Sequence, residues 1–164
     1  MHRRKFLLAA ASLITAPAAF AAEDGPVAML TAIYRRICAG ESDTFMLTPK
    51  ERPRYFTKDL VMLWAKADSK TEPGHAGPLD FGPITNSQDR HVKAFAIKVE
   101  RVHAEVDLAA VSLSDKKGPV KPTPANTLHY VLVKMDGRWR IDDISGMAGG
   151  KPWSLRKLLE DFDR

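Results

Sequence analysis

Apolar residues recur at three- and four-residue spacing up to about residue 69 and at two-residue spacing beyond residue 91, which predicts helices first and strands afterwards. Gly25-Pro26 opens the first helix, because proline at the first helical position lacks only a donor that would go unsatisfied anyway. Val27, Leu30, Tyr34, Ile37 and Cys38 mark its apolar side, Arg35 and Arg36 lie near its end, and Gly40 is its stop. Thr48-Pro49-Lys50-Glu51 has the capping-box pattern, with Pro53 restricting the helix it opens to a short turn. Thr57 then caps a longer helix over Lys58 to Ser69, whose apolar face is Leu60, Leu63, Trp64 and Ala67. Thr71 to Gln88, broken by Pro73, Gly74, Gly77, Pro78, Gly82 and Pro83, is a long loop. Loops of that length in a compact domain are functional or mobile.

From His91 the pattern is that of strands, with Phe95, Ile97 and Val99 sharing one face and Ala104, Val106, Leu108 and Ala110 sharing one face of the next. Thr127 to Ser145 reads as a long hairpin about Asp136-Gly137, a dipeptide that tolerates the positive φ angles of a type I′ turn. Strict alternation from that turn pairs Lys134 with Trp139, Leu132 with Ile141, Tyr130 with Asp143 and Leu128 with Ser145 on the face expected to meet the core. Ile144 is assigned to the other face. Gly146, Gly149 and Gly150 loosen the chain, and Ser154 caps a last helix with Leu155, Leu158, Leu159 and Phe162 along one side. Helices first, strands next and one docking helix predict an α+β domain with an antiparallel sheet of about four strands.

The start of the chain changes how its charge is read. Met1 to Ala22 has a basic start (His2, Arg3, Arg4, Lys5), an apolar run from Phe6 to Phe20 and an Ala19-Phe20-Ala21 cleavage motif, the three parts of a secretory signal. Arg3-Arg4-Lys5-Phe6-Leu7 also resembles the twin-arginine consensus, with His2 where Ser or Thr usually precedes the pair, so both export routes stay open. The expected division is a cleavable signal over residues 1–21 and a single domain over 22–164, in the periplasm. Of 25 basic and 20 acidic residues, three basic and no acidic ones fall in 1–21, leaving 22 − 20 = +2. That balance gives no basic footprint for nucleic acid. The apolar run of the leader is too short for a stable span, which needs ~20 residues. The single cysteine, Cys38, excludes an internal disulfide. It follows Arg36-Ile37 and lies well past the leader, which argues against a lipid anchor.

Several ordered pieces resemble the nuclear transport factor 2-like superfamily, and within it the exported bacterial domain-of-unknown-function family 3828. They are Tyr34-Arg35-Arg36, Arg54-Tyr55-Phe56-Thr57-Lys58-Asp59-Leu60, Pro83-Ile84 with Gln88-Asp89, Asp136-Gly137-Arg138-Trp139-Arg140-Ile141-Asp142-Asp143-Ile144, and Ser154-Leu155-Arg156. Family members often carry an aspartate before the equivalent of Pro83, where this chain has Gly82. The resemblance implies a curved sheet wrapped against helices into a cone, whose concave face serves either as a small-molecule pocket or as a protein-docking surface.

On that fold, an enzyme reading would put Tyr130 and Asp143 on the pocket wall, where a phenol and a neutral carboxyl together stabilise an oxyanion. The favoured reading is a plain cross-strand hydrogen bond between them that closes the wall. Asp89 and His91 are candidates for a base near the same sheet edge. Trp139 is a candidate stacking residue and Asp80 a polar ligand contact, although tryptophans at the spacing of Trp139 and Trp64 also suit the core. The alternative for Asp80 and Asp89 is hydrogen bonding to turn backbone. His75, Asp80 and Asp89 match no metal-ligand spacing, and no nucleophile elbow or phosphate loop is present. No cofactor is therefore expected. The expectation is an exported binding or interaction domain without catalysis, its partner a small molecule or an envelope protein. A small-molecule isomerase or hydrolase using the concave pocket is the alternative. Lys116, Lys117 and Lys121 form a solvated connection or, on the docking reading, face an acidic partner.

Overall fold

The computed structural model describes residues 25–72, 77–88, 91–101 and 106–162. The leader, His75, Asp89 and Ala104 lie outside the described residues. Helix α1 (Pro26–Cys38) is followed by the short α2 (Thr44–Leu47) and α3 (Arg52–Tyr55), then by α4 (Lys58–Ser69). Strands β1 (Ala94–Arg101), β2 (Val106–Ser114), β3 (Thr127–Met135), β4 (Arg138–Ala148) and β5 (Lys151–Ser154) precede α5 (Leu155–Phe162). The strands form one curved antiparallel sheet in sequence order, so every connection between neighbours is local. The architecture is α+β, with five strands among the described residues where about four were expected. Gly149 and Gly150, both at positive φ (56° and 77°), repeat the geometry of Asp136 and Gly137 (51° and 75°). They turn the chain into β5 rather than loosening it.

Helix α4 starts where the sequence says it should, with the Thr57 hydroxyl accepting from Leu60 N–H at 3.4 Å. The expected capping box at Thr48 does not form. The Thr48 carbonyl, not its hydroxyl, takes Glu51 and Arg52 N–H, and α3 begins at Arg52 with proline in its first turn. Leu30, Ile33, Tyr34 and Ile37 of α1, Leu60, Trp64 and Ala67 of α4, and Leu155 and Leu159 of α5 pack into one core on one face of the sheet. From β2 the core receives Ala109, Val111 and Leu113, so Val106 and Leu108 point to the opposite face.

The hairpin departs from strict alternation at one residue. Leu132 pairs with Ile141 as expected, but Val131 then pairs with Asp143 and Tyr130 with Ile144. Asp142 is an inserted bulge residue that reverses the facing of everything after it. Ile144 is consequently buried on the core face, and Tyr130 and Asp143 are not cross-strand partners. The bulge is held from outside the sheet. Thr57 N–H donates to Ile141 O at 2.9 Å, and the Thr57 hydroxyl to Asp142 Oδ1 at 2.7 Å. Arg156 reaches the same carboxylate at 2.8 Å.

Candidate functional site

The space between the helices and the part of the hairpin that bears Tyr130, Leu132 and Ile141 is filled. Tyr130 is 1% exposed, and its hydroxyl lies 2.6 Å from that of Tyr34, which is fully buried and donates to Ile84 O at 2.9 Å. A phenol has one proton, so Tyr130 must donate to Tyr34. The chain of two hydrogen bonds ties β3, α1 and the 77–88 segment together. Burial raises the pKa of both phenols, and for Tyr34 the neighbouring Tyr130 adds to the rise. Each hydroxyl is already engaged within the fold, so the oxyanion pair drawn from Tyr130 and Asp143 is not assembled.

Asp143 instead organises the C-terminal helix. Its Oδ1 accepts from Ile144 N at 2.8 Å and Arg156 N at 3.0 Å, and its Oδ2 from Ser154 Oγ at 2.8 Å. Ser154 Oγ in turn accepts from Lys157 N at 3.2 Å, the cap expected of it. Asp142 and Asp143 thus clamp the hairpin to α4 and α5.

The other candidates are scattered. Trp139 is half-buried against the core, with the Lys134 ammonium 6.0 Å from its ring centre. Trp64 is buried, edge-on to Phe56 and beneath the Arg52 guanidinium at 4.1 Å. His91 is exposed beside a shallow hollow of about 220 Å³ with Asn126, away from Tyr130. Asp80 is exposed on the rim of a cleft of about 540 Å³ between the 77–88 segment and α2, α3 and α4. That cleft also contains Asp43, Arg52, Trp64, Asp68 and Gln88. Arg52 is almost fully enclosed there, donates through Nε to Leu47 O at 2.7 Å and pairs with the Asp68 carboxylate.

The long loop is firmly anchored over its described segment 77–88. Ile84 is fully buried. Asn86, held at φ 52°, donates to Met147 O at 2.8 Å and Ala125 O at 3.2 Å, and accepts from Trp153 Nε1 at 2.9 Å. Phe81 packs edge-on to Trp153, with ring centres 4.9 Å apart. Asn86 and Trp153 went unrecognised in the sequence because their partnership spans 67 residues with no local pattern to announce it.

A second opening was also missed. A groove of about 640 Å³ runs between the start of α4 and the tip of the β3–β4 hairpin, lined by Pro53, Phe56, Lys58, Val61, Met62, Met135, Asp136, Arg138 and Arg140. Its sequence signal was available. Met62 lies off the apolar stripe of an amphipathic helix, and Met135 flanks a hairpin turn. Among the described residues no cluster of three His, Cys, Asp or Glu side chains is arranged to hold a metal ion, and no helix is long and apolar enough to cross a membrane. Comparison with family models, with curated proteins and with solved structures gives no match.

Proposed function

We propose that this chain is an exported, non-catalytic binding domain that meets its partner at the outer surface. One observation carries the reading. The polar groups on the concave side of the sheet are engaged with each other, Tyr130 with Tyr34 and Tyr34 with Ile84 O, among fully buried Leu132, Ile141 and Phe56. Open volume lies outside, in the Arg52 cleft and the methionine-lined groove. Export rests on the leader, and a cone of the nuclear transport factor 2-like kind rests on the resembling pieces named above. A second reading, small-molecule binding in the cleft, is favoured by exposed Asp80 and Gln88 facing Trp64 and Arg52 across one concavity.

Site-specific photo-crosslinking in cells producing the chain tests the proposal. A crosslinking residue is placed in turn at Met62 in the groove, Gln88 in the cleft and Lys98 on the exposed part of β1. The expected result is a protein adduct of defined mass at one surface position, unchanged by Tyr130→Phe. Absence of adducts at all three positions, or loss of the adduct in a folded Tyr130→Phe variant, would overturn it.

A further inference from the structure

We propose that the groove between α4 and the β3–β4 hairpin binds an acidic amphipathic segment of a protein partner. The inference rests on the surface-binding reading and names the chemistry of the partner. The groove joins two features that proteins usually keep apart. Its apolar wall includes Met62, 53% exposed, and Met135, 39% exposed. Methionine is flexible and polarizable, and recurs where a surface must accept apolar side chains of differing shape. Its rim carries Lys58, Arg138 and Arg140 against the single carboxylate of Asp136, a balance of 3 − 1 = +2.

Those cations have no carboxylate partner among the described residues, Arg140 donating only to the carbonyl of Trp139 at 3.0 Å. Arg36, Arg52, Arg54 and Arg156 each pair with a carboxylate of this chain. Lys58 is also placed against its own helix. It is the first residue of α4, where a positive charge opposes the macrodipole. A cation kept at a position that local stability disfavours, beside two more without a carboxylate partner among the described residues, fits recognition of negative charge.

The shape selects among anionic partners. Apolar and charged residues line one concavity together, whereas a bilayer is entered by apolar groups that project beyond the cations. A second copy on a two-fold axis would set like charges against each other. An acidic segment with apolar anchors at i and i+3 or i+4 satisfies both requirements, anchors on the methionines and carboxylates on the rim.

Fluorescence anisotropy of the purified protein with a labelled amphipathic peptide tests this. The peptide carries leucines at i, i+3, i+4 and i+7 flanked by glutamates, and its control has every glutamate replaced by lysine. The acidic peptide is expected to bind with an affinity that falls as salt rises, and the lysine peptide not to bind. Lys58→Glu combined with Arg138→Glu should weaken binding about tenfold or more without lowering the melting temperature, because glutamate suits the first turn of α4. Met62→Ser should weaken binding with the charge unchanged. Equal binding of the two peptides, or wild-type binding by the double variant, overturns the proposal. So does binding confined to anionic vesicles, or self-association abolished by Met62→Ser. Crosslinks at Gln88 but not Met62 overturn the groove and leave surface binding standing, while no crosslink anywhere removes both.

Discussion

The Tyr130–Tyr34–Ile84 relay makes the two tyrosines unequal despite their identical chemistry. Tyr34→Phe removes the acceptor of the Tyr130 proton and the donor to Ile84 O, leaving two buried polar groups without those partners. At about 1–3 kcal/mol for each such group, the loss is about 3 kcal/mol. Tyr130→Phe removes only a donor to an oxygen that still gives its own proton to Ile84, and costs about 1 kcal/mol. In the double variant no phenol proton is stranded, so it is more stable than Tyr34→Phe alone by about 1 kcal/mol. Urea unfolding followed by the fluorescence of the three tryptophans gives all four corners of the cycle. Equal costs for the two single variants, or additive effects in the double, would refute the direction of the relay.

Asp143→Ala removes three hydrogen bonds to a carboxylate and should destabilise by about 3 kcal/mol, whereas Asp143→Asn, which keeps one acceptor oxygen, should lose about 1 kcal/mol; thermal unfolding separates them. Gly82→Asp places a Cβ 2.6 Å from Thr85 Oγ1 and 3.3 Å from Asp43 Oδ2, and should cost about 1–3 kcal/mol by urea midpoint, showing that this chain has no room for a carboxylate before Pro83. Arg52→Lys keeps the charge but not the planar group that stacks on Trp64 while bonding both Leu47 O and Asp68, so a loss of about 1–2 kcal/mol is expected by the same assay.

Much of the fold was legible because its signals are local. Gly25-Pro26, Thr57, Asp136-Gly137 and Ser154 each mark a boundary by their own stereochemistry, and α1, α4, the hairpin turn and α5 lie where those residues put them. The bulge too leaves a trace in the sequence, one that strict alternation hides. Trp139, Ile141 and Ile144 are spaced by two and then three, with Asp142-Asp143 in the gap, which is the trace an inserted residue leaves in an apolar face. One slip of that kind moved Asp143 from the pocket wall to the cap of α5 and replaced the expected Tyr130–Asp143 pair with a Tyr130–Tyr34 contact 96 residues apart. The candidate site was less legible because a surface groove has no periodicity. Lys58, Met62, Met135 and Arg138 come from two elements, and only their packing makes them neighbours.

The claim that the interior is closed is tested most directly by phenolate absorbance in Tyr55→Phe, which leaves only Tyr34 and Tyr130. Both phenols have raised pKa values through burial, so the folded state keeps protons that the unfolded state releases above about pH 10. Their stabilisation is complete below that pH and is lost above it at about 1.4 kcal/mol per pH unit for each tyrosine. With the interior closed, no phenolate signal should develop while the far-ultraviolet circular dichroism remains native, and both phenols should ionise together as the chain unfolds. A phenolate signal near pH 10 in a protein that is still folded would show that solvent or a ligand reaches the core face of the sheet, and would return the functional site to the interior.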